Sequence, residues 1–100
     1  MTGFELPTRE MAHSEAHRRL ATIFQHDELV WIIDEVFNAH DIAWNIDILR
    51  QGDAATWVQA RYRYDAQADV IHYRGERALS STEFRTARQQ GRAFTAHAQD

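Results

Sequence analysis

Between Ile42 and Tyr64 the apolar side chains recur at every second residue, a period that fits a β-strand and not a helix. Ile42, Trp44, Ile46 and Ile48 project to one side, and Ala43, Asn45, Asp47 and Leu49 to the other. Gln51-Gly52-Asp53 turns the chain. Residues 56–64 then alternate Val58, Ala60, Tyr62 and Tyr64 against Trp57, Gln59, Arg61 and Arg63. The five residues 65–69 close a hairpin, and 70–74 supply a third strand. A three-stranded antiparallel meander with one apolar face needs a covering layer to be stable. The flanking segments must supply it.

Helical spacing flanks the meander on both sides. Residues 1–7 read as a loose arm ending at Pro7, and Thr8 is a helix N-cap with Glu10 in the first turn. Met11, Ala12, Ala16, Leu20, Ile23 and Phe24 mark a helix running to Gln25, with a thin stripe at its start. Asp27 would cap a second helix over 28–38. Leu29, Ile32, Ile33, Val36 and Phe37 would be its buried stripe, with Asp34 and Glu35 facing water. Ser80 and Glu83 form a capping box between Leu79 and Phe84, opening a last helix that Gly91 ends. Phe94 returns to the core, and 95–100 reads as a tail. The sequence therefore predicts one α+β domain of order ααβββα, with its helices on one face of the sheet.

Composition narrows the function classes. The chain has 100 residues, 44% of them hydrophobic, and no cysteine, which excludes a disulfide framework and a thiolate zinc site. No apolar run approaches the roughly 18–20 residues of a membrane span, and the start lacks a secretory pattern. A cytoplasmic, non-membrane protein is expected. All 11 basic residues are arginine, and the net charge of −4 argues against non-specific nucleic-acid binding.

Four groups of residues are candidates for function. If Tyr64 aligns with Ile71 and Tyr62 with Tyr73, then Arg63 lies opposite His72, and Arg61 opposite Arg74. With Asn45, Gln59 and Trp57 on the same face, that surface would suit an acidic protein partner or a nucleic-acid backbone. Nearby acids such as Asp47 could instead neutralise it. His13 and His17, four apart on one helical face, carry the spacing with which two imidazoles reach one metal. Glu10 lies one turn back, and His26 or His40 would have to supply a further ligand. No metal or cofactor is expected on this spacing alone. Ser80, Ser81 and Thr82 are used in capping, and there is neither a nucleophile elbow nor a phosphate-binding loop, so catalysis by the monomer is not expected.

The last group is apolar. Trp31, Trp44 and Trp57 come from three elements, and Leu29, Val30 and Leu49 add exposed apolar surface beside them. That surplus predicts self-association as a homodimer or larger homo-oligomer. The leading expectation is a non-enzymatic interaction module that recognises its partner through Arg61, Arg63, Arg74 and Trp57. The alternative is an enzyme or ligand-binding protein with a pocket between subunits, near His72, Tyr62 and Tyr73. The order αβββα from Glu28 onward also resembles, in topology, the double-stranded RNA-binding domain. That resemblance implies RNA binding, although Ser80-Ser-Thr-Glu83 offers only Arg85 and Arg88 as bases beyond it.

Overall fold

The computed structural model describes residues 6–24 and 28–94. A helix α1 (Arg9–Ala21) precedes four long strands, β1 (Val30–Asn38), β2 (Ala43–Gln51), β3 (Trp57–Asp65) and β4 (Val70–Ala78). A short 3-10 turn joins β2 to β3, and a second helix α2 (Ser81–Gln90) leads into the short strand β5 (Arg92–Phe94). The sheet is antiparallel throughout, in the order β4-β3-β2-β1-β5. The chain is α+β, of order αββββαβ.

This corrects the expected ααβββα order. Residues 30–38 are a strand, not a second helix. The segment Val30-Trp31-Ile32-Ile33 is apolar all round, which in a helix would require a partner on every side. In a strand covered on both faces it is the ordinary pattern, and its β-branched and aromatic residues favour that state. The topological resemblance to the double-stranded RNA-binding domain, which needs a helix there, falls with it. His26, the Asp27 cap, residues 1–5 of the arm and the tail 95–100 lie outside the described residues.

The helices cover opposite faces of the sheet. From α1, Ala12, Ala16 and Leu20 pack on Trp44, Ile46, Ile48, Ala60, Tyr62 and Tyr64, and Phe94 closes the edge of this main core. From α2, Ala87 and Phe84 pack on Trp31, Leu49 and Trp57 on the other face. The two cores absorb all three tryptophans: Trp44 lies in the first, and Trp31 and Trp57 in the second. Trp31, Val30 and Leu49 are buried within the chain, whereas Leu29 is exposed. Leu49 and Trp57, anomalous on a polar sheet face, are the floor on which α2 rests.

Local signals account for several boundaries. Thr8 Oγ1 accepts from the Met11 amide at the start of α1, which ends at Ala21, short of Gln25. Ser80 and Glu83 form the full capping box of α2. Gly91 leaves α2 against β1: a Cβ there would come within 3.0 Å of both Ile33 Cγ2 and Trp31 Cβ. The hairpin register pairs Tyr64 with Ile71, Tyr62 with Tyr73 and Arg63 with His72. Beyond Tyr73, β4 continues to Ala78 through an irregularity at Gly75, whose φ is +102°. Arg61 and Arg74 therefore flank a bulge rather than forming a ladder pair. Among the described residues, no helix is long and apolar enough to cross a membrane.

Candidate metal centre

One extra residue in β1 determines which side chains face α1. Val30 and Ile32 follow the α1 side in register with Arg50 and Ile48. The pairing then shifts, so that Asp34 meets Asp47 and Glu35 meets Ile46. Such a bulge lets two consecutive residues leave the alternation. Ile33 joins the core beneath α2 and Asp34 lines the cleft beside it. Glu35 and Phe37 are returned to the α1 side, where a regular strand would have placed Asp34 and Val36.

Glu35 there meets the two histidines of α1. Its Oε1 accepts from His13 Nε2 at 2.9 Å and from His17 Nε2 at 2.5 Å. One helical turn separates the histidines, and their ring centroids are 4.2 Å apart. The carboxylate is 11% exposed, His17 17% and His13 33%, so solvent reaches the cluster from the His13 side. Trp44 walls it, edge-on to His13 at 4.6 Å, and the Trp44 indole N–H donates to the Arg9 carbonyl at 3.2 Å. Phe94 stands edge-on to His17 at 5.6 Å. Arg92 of β5 donates to Glu35 Oε2 at 2.6 Å, leaving Oε1 to the histidines.

Electrostatics hold Glu35 ionised. Burial alone would raise its pKa. The hydrogen bond and charge of His17, followed by those of His13, outweigh burial and lower it to about 2. Glu35 is therefore a poor proton acceptor at neutral pH and a good anionic ligand.

Three ligand atoms, one from each of His13, His17 and Glu35, lie within 4.8 Å of one another. A tetrahedral ion with bonds near 2.0–2.2 Å sets its ligands roughly 3.3 Å apart, so small side-chain rotations would seat one. Two imidazoles with one carboxylate suit Zn²⁺ or Fe²⁺ and leave open positions for water. Arg92 on the distal carboxylate oxygen is the kind of outer partner that orients a ligating carboxylate. The residue after His13 is Ser14, so the glutamate that follows the first histidine in a metalloprotease helix is missing. Glu15 instead pairs with Arg18.

The other expected ligands are elsewhere. Glu10 is exposed, and His40 is a surface residue beside Asp41. In a helix over 28–38 Glu35 would face water, whereas in β1 it faces α1. The all-round apolar run at 30–33 marks a strand, but a regular strand would turn Asp34, and not Glu35, towards α1.

On the outer face, Arg61, Arg63, Arg74, Asn45 and His72 lie outside the α2 cover and Gln59 lines the cleft beside α2, but most of the charge is matched. Arg63 pairs with Asp41 at 2.9 Å, Arg61 sits 3.7 Å from Asp47, and Gln59 donates to Asp47. Trp57 is stacked on Phe84. Comparison of the chain with protein-family models, curated proteins and solved structures finds no match.

Proposed function

We propose that the protein binds one divalent transition-metal ion, Zn²⁺ in the first instance, through His13, His17 and Glu35. The observation that carries this reading is the convergence of two helix imidazoles on one partly buried carboxylate oxygen that a bulge turns towards them. Binding would replace the two N–H···O bonds with metal bonds. Each imidazole would then give up its Nε2 proton, to solvent or by tautomerising to Nδ1, and present that lone pair to the ion. The ion would fasten α1 to β1, and through Arg92 it would be supported from β5. It would act as a Lewis acid on water at the His13 side, where solvent has access.

The test is titration of chelator-stripped protein with Zn²⁺ by calorimetry, and with Co²⁺ followed by visible absorption. One ion per chain is expected, with binding lost in His17→Ala and Glu35→Ala but retained in His40→Ala. Substoichiometric metal in the wild type, or undiminished binding in His17→Ala, would refute the reading.

A partner-recognition role for the outer face remains a second reading, favoured by the long exposed cleft there. It would involve both signs of charge, because acids line the β1–β2 side and arginines the β3–β4 side.

A further inference from the structure

The half of the outer face that α2 leaves uncovered brings like charges near one another in two places, and one member of each has no partner among the described residues. On β1 and β2, Asp34 and Asp47 are directly paired across the ladder, an arrangement that destabilises a sheet. Asp47 is offset by Gln59 and, at 3.7 Å, by Arg61, while Asp34 has no partner among the described residues. On β3 and β4, Arg61 and Arg74 flank the Gly75 bulge, and Arg74 likewise has no partner among the described residues. Both unpartnered charges line one cleft of about 390 Å³, together with Asn45 and the half-exposed Val36. The inner members, Asp47 and Arg61, offset one another, so what the cleft leaves incomplete is Asp34, which lacks a cation, and Arg74, which lacks an anion.

A single ligand with both charges would partner both. Its spacing follows from the strand order. A cation between Asp34 and Asp47 sits over the β1–β2 gap, and an anion between Arg61 and Arg74 sits over the β3–β4 gap. These gaps are two strand spacings apart, about 10 Å. An extended tripeptide spans about 10 Å from its ammonium to its carboxylate. Guanidinium groups present paired donors suited to a carboxylate, and Asn45 can serve a peptide group between the ends. A polyanion would satisfy only the arginine end and be repelled at the other. A second copy of this chain fits no better. With the two-fold axis along the strands, α2 would collide with α2; with the axis across them, acids would face acids.

We infer that this cleft binds a small zwitterion whose ammonium and carboxylate lie about 10 Å apart, a short unblocked peptide being the plainest case. The inference does not depend on the metal centre, which lies on the opposite face.

The test uses trialanine as probe, followed by amide chemical-shift perturbation of the full chain and by calorimetry. N-acetyl-trialanine, trialanine amide and free alanine serve as controls, and an 8-carbon ω-amino acid as a zwitterion without peptide bonds. Saturable shifts are expected at Asp34, Val36, Asn45, Asp47, Arg61 and Arg74. Blocking either terminus should weaken binding about tenfold or more, the worth of one charge-assisted hydrogen bond. Asp34→Asn should remove the penalty for acetylation while keeping that for amidation, and Arg74→Gln should do the reverse. Binding of the ω-amino acid would show that charge spacing suffices, in support of the inference. Absence of saturable shifts at tens of millimolar trialanine would overturn it. So would equal binding of blocked peptides, or free alanine binding as tightly as trialanine.

Discussion

Replacing Glu35 with glutamine keeps the shape of the side chain and removes its charge. In chelator-treated protein, Glu35→Gln would lose one acceptor shared by His13 and His17 and the ionic partner of Arg92. The imidazole bonds, partly buried and charge-assisted, are worth about 1–2 kcal/mol together. The Arg92 pair, with an arginine that is 71% exposed, adds less than about 1 kcal/mol. A second route gives a similar figure. Depression of the Glu35 pKa from 4.5 to about 2 corresponds to about 3 kcal/mol, which solvent on the His13 side reduces to about 2. For a chain of this size that is a melting-temperature loss of about 8–16 °C at neutral pH.

The pH dependence has a fixed sign. A carboxylate whose folded pKa lies below its unfolded value stabilises fully above the unfolded value, here 4.5. That stability disappears as pH falls through about 2. The gap between wild type and variant should therefore close as pH falls from 4.5 to 2. Urea titrations at a series of pH values measure it. A negligible gap at pH 7, or one that persists unchanged to pH 2, would refute the argument that Glu35 is held ionised by the histidines.

Three further outcomes test the packing. Gly91→Ala should destabilise by about 1–3 kcal/mol in urea, because the new methyl group meets Ile33 and Trp31 at 3.0 Å. Leu49→Ala, under α2 and fully buried, should cost about 2–5 kcal/mol and perturb the tryptophan near-ultraviolet signal of the Trp31–Trp57 cluster. Ser80→Ala removes one half of the capping box and should cost about 1 kcal/mol by thermal melting, with amide exchange quickened in the first turn of α2.

The central hairpins were legible because their signals are local. Alternation at 44–48 and 58–64 gave the faces of β2 and β3, and the five-residue loop gave the register Tyr62–Tyr73 and Tyr64–Ile71. The capping box was readable from two residues. Strand β1 was not legible, since Leu29, Ile32, Ile33, Val36 and Phe37 satisfy a helical stripe as well as a strand covered on both faces. Only the position of α2, far along the chain, decides between them. Strand β5 is three residues long and has no periodicity to read. The metal candidate was half visible. His13 and His17 share a face by helical geometry alone, but Glu35 reaches them only through a bulge whose extra residue has no signature in sequence.

That bulge makes the centre depend on the parity of one strand. Glu35 and Phe37 face α1 only because β1 carries one residue more than β2 beside it. Insertion of a single codon between 34 and 35 would leave the composition, charge pattern and helices almost unchanged. It would nevertheless exchange the two sides of the strand beyond that point, or force the strand to slip by a residue against its neighbour. A lineage could thus lose or regain the carboxylate ligand in one insertion or deletion event, without altering any ligand residue.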